Sequence, residues 1–129
     1  MKAIGQMPRP KSGSTFELLS WFYMRVSGLL MALMITFHLL WMHLIVGLDN
    51  INFSVVADRW MYPITGTLWR VFDLLLLIFA VTHGMNGIRF SIEDYVHNRS
   101  WQLFLKTAVA ILLLFLLFIG SYIVFVFEV

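Results

Sequence analysis

The chain predicts an all-α integral membrane protein of three transmembrane helices, and three observations carry that expectation. Of its 129 residues, 60% are hydrophobic and 12% charged, with a mean hydropathy of +0.85. A soluble domain of this length has too little interior to hide so much apolar surface. Apolar segments over about residues 21–46, 67–90 and 107–127 each meet the length of roughly 20 residues needed to cross a bilayer. Basic residues are also unevenly placed. Lys2, Arg9, Lys11, Arg25, Arg89, Arg99 and Lys106 flank the start of the first span or the second connection, whereas only Arg59 and Arg70 lie on the other side. The positive-inside rule then puts the N-terminus in the cytoplasm and the C-terminus outside the cell inner membrane.

Composition excludes several classes of function. A formal charge of +2 without a basic stripe argues against nucleic acid as a partner. The absence of cysteine removes disulfides, thiolate sites and iron–sulfur clusters from this chain. Any redox centre is held by histidine or supplied by another subunit. The polar first 20 residues and the long apolar run after them do not read as a secretory signal.

The elements follow in order. Residues 1–13 lack periodicity and are expected to form an extended cytoplasmic tail, with residues 14–129 as one transmembrane domain. Ser14-Thr15-Phe16-Glu17 matches a capping box, which starts a helix running on into the first span. Gly47–Gly66, with Asp49, Asn50 and Pro63, is an outer loop that has room for a short interfacial helix. The five tryptophans mostly mark interfaces. The second span carries a histidine, and the third is free of charge from Thr107 to Val126. No repeat or second domain is visible.

The most informative stretch is His83–Tyr95. His83 and Asp94 are eleven residues apart, which is three helical turns plus about 20°, so they share a face about 16 Å apart along the axis. Gly87 lies one turn from His83 on that face and removes bulk there. A buried imidazole with clearance beside it can hold a metal, and haem iron takes such ligands; the alternative is a histidine hydrogen-bonded to a neighbouring helix. Asp94-Tyr95, where the helix leaves the membrane, can hold and protonate something small.

His38 shares the face of Ser27 in the first span, but it lies on the order of 10–15 Å deeper than His83 by helix rise. That offset prevents the two imidazoles from sharing one iron. His38 is therefore either a structural hydrogen bonder or the ligand of a second haem. His43 reads as a snorkelling interfacial residue and His97 as a solvated one. Arg25-Val26-Ser27-Gly28 opens the first span with an arginine followed by a small hydrogen-bonding patch. Arg25 is read either as snorkelling to lipid phosphate or as a ligand for a haem propionate or a carbonyl. Arg89 and Glu93 are one turn apart and suit an ion pair, which leaves Asp94 for other work. Arg70 and Asp73 are spaced for a second pair, and Arg70 is a weaker candidate for a propionate.

The His83-x-x-x-Gly87…Asp94-Tyr95 pattern and the Trp21…Arg25-x-Ser27-Gly28 opening resemble the membrane-anchor subunit of succinate dehydrogenase, the D-type half of its cytochrome b. The likeness covers nearly the whole chain. It implies that His83 is an axial ligand of haem b and that Tyr95, assisted by Asp94, hydrogen-bonds a quinone carbonyl and relays a proton. It implies that Arg25 and Ser27 belong to the quinone pocket or contact haem propionates. It further implies a larger anchor bundle in a respiratory complex II of the tricarboxylic acid cycle and electron transport. The partners would be a second membrane anchor, an iron–sulfur subunit and a flavoprotein, with this subunit not catalytic alone. His38 departs from the single-haem pattern, so the resemblance implies one haem b, or two if His38 ligates another. A haem-free anchor, a fumarate reductase anchor and a small transporter or channel subunit are the competing readings. The uniformly apolar third span argues against the last.

Overall fold

The computed structural model describes residues 13–126, and every regular element in that range is helical. The tail expected over residues 1–13 lies, apart from Gly13, outside the described residues, as does Phe127 at the end of the third span. Helix α1 (Thr15–Leu40) runs without a break into a π-helical turn, Trp41–Val46. A 3-10 turn (Leu48–Asn50) leads to a short helix α2 (Phe53–Met61), then to α3 (Thr65–Tyr95) and α4 (Arg99–Val126). The three long helices are 32, 31 and 28 residues with the π turn included. At 1.5 Å per residue each exceeds the hydrocarbon thickness of about 30 Å, so each tilts or projects beyond it.

The ends are set by local chemistry that hydropathy does not register. Ser14 Oγ accepts the Glu17 amide at 3.3 Å, and a Glu17 carboxylate oxygen accepts the Ser14 amide at 3.2 Å. This is the expected capping box, and it starts α1 six residues before the apolar run begins. Gly47 ends the π turn with φ 80°, a left-handed backbone that favours glycine. Asn52 caps α2 by accepting the Val55 amide at 3.1 Å, so the outer loop does contain a short helix. Asn98 Oδ1 accepts the amides of Ser100 at 3.0 Å and Trp101 at 3.2 Å. It thereby starts α4 eight residues before Thr107, the first residue of the expected third span.

Helix α3 is the centre of the bundle, packed against α1 on one side and α4 on another, while α2 lies over its first turns. The α2–α3 corner depends on Gly66, where a Cβ would collide with the Trp60 carbonyl. Gly120 lets α4 approach α3 closely, since a Cβ there would collide with the Leu77 side chain. Few apolar side chains are buried (Met42, Ala57, Ile92 and Val124 among them), while residues such as Leu29, Leu33, Phe115 and Phe118 are exposed. Lipid tails are as apolar as leucine, so burial of such side chains drives little association in a bilayer. Close approach and interhelical polar pairs hold the helices instead.

Candidate functional site

The α1–α3 seam is a series of polar pairs, and it starts from spacing on α1. Ser20, Tyr23 and Ser27 are separated by three and four residues and so lie on one face. Each meets α3. Asn86 Nδ2 donates to Ser20 Oγ at 2.9 Å, Tyr23 hydrogen-bonds Thr82 through their hydroxyls, and Ser27 Oγ lies 2.9 Å from His83 Nδ1. Ser27 is 1% exposed and is also 2.6 Å from the Tyr23 carbonyl oxygen. In the bilayer each of these groups gains a partner that lipid does not offer.

His83 is therefore held against α1, with its Cε1 close enough to Gly28 that a Cβ there would stand 3.2 Å away. On α3 beside it the space is open. A Cβ at Gly84 would meet nothing within 4 Å, and one at Gly87 would meet only Met24 Cε at 3.9 Å. The clearance expected at Gly87 is present, and Gly84 has more. A half-buried imidazole with one nitrogen engaged and glycines beside it suits a large planar group ligated through iron, so the residues present fit a haem. Arg25 does not join them. It is exposed and stacks on Trp21, its guanidinium carbon 4.1 Å from the ring centroid. Two residues on a helix are about 200° apart, so Arg25 and Ser27 face different ways.

At the end where α1 starts and α3 finishes, an ionic network joins α1, α3 and α4. Arg89 donates to Asn86 Oδ1 at 2.9 Å, to Ser20 Oγ at 3.1 Å and to Glu93 Oε1 at 2.9 Å. Lys106 of α4 reaches the same Glu93 oxygen at 2.8 Å. The Arg89–Glu93 pair is as expected. The network borders a groove of about 480 Å³ between α1 and α4, with apolar walls that include Phe16, Met85 and Leu113. Asp94 and Tyr95 lie just beyond it on the last turn of α3, where Tyr95 is 82% exposed. Neither side chain has a hydrogen bond or ion pair among the described residues.

At the opposite end, Asp73 organises a second cluster. Its Oδ2 accepts from Arg59 Nη2 at 2.7 Å and from Trp60 Nε1 at 2.9 Å, both from α2. This corrects the expected Arg70–Asp73 pair. With α2 folded over α3, Arg59 occupies the carboxylate, and Arg70 instead sits over Trp60, 5.9 Å from the ring centroid, with a buried Nε that has no hydrogen bond among the described residues. His38 lies level with Asp73, its Nδ1 3.8 Å from Oδ1, and its ring stacks on Phe72 at 6.2 Å. That nitrogen is buried without a hydrogen bond among the described residues. Ser27 sits level with His83 and His38 level with Asp73. The steps of eleven and ten residues between these levels place the two histidines about 15 Å apart in depth, as expected. His43 bonds the Leu39 carbonyl on its own helix at 3.0 Å, and His97 is exposed.

Sequence reasoning passed over Ser20, Tyr23, Thr82, Asn86 and the tryptophan donor Trp60. The signal available for the first four was polar residues at helical spacing inside apolar spans, a pattern that becomes specific only once two helices are known to face each other. Among the described residues no three His, Asp or Glu side chains converge, so His83 and His38 each offer a lone imidazole.

A family model described as succinate dehydrogenase/fumarate reductase transmembrane subunit matches residues 8–120. The search of curated proteins gave no match to this chain. With three helices long and apolar enough to cross a bilayer, the chain is a multi-pass membrane protein.

Proposed function

The chain belongs to the succinate dehydrogenase/fumarate reductase transmembrane subunits, and from that premise we propose that it is the D-type anchor half of a cytochrome b that binds haem b and completes a quinone site. The carrying observation is His83, fixed against Ser27 and Gly28 while the α3 surface beside it at Gly84 stands open. This chain offers a single imidazole at that depth, so a haem held by it would draw any further protein ligand from another chain, which fits a companion membrane anchor. The uneven basic residues put the α1 start in the cytoplasm, where an iron–sulfur subunit and a flavoprotein would dock. A haem held there would supply one-electron transfer between that side and the bilayer interior.

Tyr95 and Asp94 act on the quinone in this reading. Reduction of a quinone to a quinol consumes two electrons and two protons. The Tyr95 hydroxyl donates a hydrogen bond to one carbonyl oxygen, gives it one proton as electrons arrive and is reprotonated from water by way of Asp94, while the other carbonyl oxygen takes the second proton from water. Asp94, exposed next to it, exchanges protons with water. Arg89 and Lys106, tied to Glu93, hold the helix ends that carry this pair. Succinate oxidation is the direction adopted, and the same residues run in reverse in a fumarate reductase anchor.

A second haem at His38 has one observation in its favour: the buried Nδ1 without a hydrogen bond, next to a carboxylate. The test is a reduced-minus-oxidised spectrum of the detergent-purified complex, with haem counted by pyridine haemochrome, repeated for His83→Ala and His38→Ala. One haem lost with His83→Ala supports the proposal, and a further one lost with His38→Ala adds the second site. A complex without a Soret band overturns the cytochrome reading and leaves a mooring subunit.

A further inference from the structure

We propose that Ser27 is a positioning residue that holds His83 in the Nδ1–H tautomer, leaving the Nε2 lone pair free for iron. The inference rests on His83 being the haem ligand, and it adds what makes this imidazole a competent one.

The argument is proton accounting at one hydroxyl. A serine hydroxyl has one proton to donate and two lone pairs to accept with. Ser27 Oγ has two neighbours at hydrogen-bond distance: the Tyr23 carbonyl oxygen at 2.6 Å and His83 Nδ1 at 2.9 Å. A carbonyl oxygen has no proton and only accepts, so the Ser27 proton points to Tyr23. If it pointed to His83 instead, two oxygen lone pairs would face each other at 2.6 Å with nothing between them. Ser27 Oγ therefore accepts from His83, and Nδ1 carries the hydrogen. A neutral imidazole has one N–H, so Nε2 is bare, which is the state a metal ligand needs.

Three further observations keep this arrangement in place. Ser27 is 1% exposed, so water does not compete for either bond. Gly28 brings the α1 backbone against the ring, where a Cβ would stand 3.2 Å from Cε1. Tyr23, whose carbonyl takes the Ser27 proton, is itself fixed to α3. Thr82 donates to the Ile78 carbonyl at 2.5 Å, so the Tyr23 hydroxyl is the one that donates to Thr82. The two helices thus set each other's register at the level of His83.

The experiment compares Ser27→Ala, Ser27→Cys and Ser27→Thr in the purified complex, with His83→Ala alongside, and reads haem retention and the haem midpoint potential. An acceptor on Nδ1–H makes the imidazole a stronger donor and stabilises the ferric state. Ser27→Ala is therefore expected to raise the midpoint potential and weaken haem retention about tenfold, at the lower end of losses seen for outer partners of metal ligands. Ser27→Thr keeps an acceptor and restores both. Ser27→Cys is close in size but a weaker acceptor; it moves the potential in the same direction by less, and gives the comparison even if the alanine variant fails to assemble. Wild-type potential and retention in both Ser27→Ala and Ser27→Cys, with haem lost in His83→Ala, would refute the role of Ser27 and leave His83 as ligand. Haem retained in His83→Ala would instead remove the reading on which the inference rests.

Discussion

Asp73 takes its cation from Arg59, fourteen residues earlier in the chain and 2.7 Å away, and not from Arg70 one turn along its own helix. The choice follows from the corner at Gly66, which folds α2 over α3 and delivers Arg59 and Trp60 together to a carboxylate that is only 14% exposed. A buried carboxylate that loses its partner is left uncompensated, whereas an arginine stacked on a ring loses little. Arg59→Ala is expected to cost on the order of 3 kcal/mol and Arg70→Ala about 1 kcal/mol or less. Thermal unfolding of the complex in detergent checks the order. Addition of Asp73→Asn should recover part of the Arg59→Ala loss, and equal effects of the two arginine changes would show that Asp73 does not discriminate between them.

The two tight glycines should differ in tolerance. A Cβ at Gly120 meets the far end of the Leu77 side chain, which can move, while one at Gly66 meets the Trp60 carbonyl, which cannot without displacing α2. Overpacking of this kind costs about 1–3 kcal/mol, with Gly120→Ala near the bottom of that range and Gly66→Ala at or beyond the top. Protease resistance of the α2–α3 corner reports the difference. Similar profiles for the two variants would mean that α2 does not depend on Gly66.

Gly84→Leu separates the needs of this chain from those of what sits beside it. The position is open in the single chain, so the substitution should leave membrane insertion and helix content unchanged. In the complex, a leucine there occupies the clearance beside His83. The expected result is at least a tenfold loss of haem, measured by pyridine haemochrome against protein, with the subunit still present on an immunoblot. Full haem content in Gly84→Leu would place the planar group elsewhere.

Tyr95→Phe removes one hydroxyl from a side chain that has no hydrogen bond among the described residues. On the proposed role the quinone reductase rate falls on the order of 10²-fold, the lower end for a positioned proton donor, while haem content and succinate oxidation with an artificial acceptor stay at wild-type levels. Asp94→Asn should show a smaller loss with the same pattern. A phenylalanine variant as fast as wild type would take the proton role from Tyr95.

The chemically scarce residues were legible because scarcity is a local property. His83, Gly87 and Asp94 could be placed on one helix face by counting, with Tyr95 next to Asp94 at the helix end, and the Arg89–Glu93 pair by spacing alone. The depth difference between His38 and His83 followed from residue counts and reappears in the levels of Ser27 and Asp73. Arg25 and Arg70 were harder to place. Trp21, on which Arg25 stacks, is one turn back on the same helix, whereas Trp60, over which Arg70 sits, is delivered only when α2 folds over α3.

By itself the sequence determined a membrane protein with three spans, a basic side and an imidazole in the second span, because apolar length and charge are read by the bilayer one segment at a time. Tertiary structure decided which groups share a hydrogen bond: Ser27 with His83, Asn86 with Ser20 and Arg89, Arg59 with Asp73. Those partnerships depend on the rotation and relative height of neighbouring helices. In a bilayer these are set by close approach at small residues and by the need to satisfy each polar group, and neither is visible until the two surfaces are brought together.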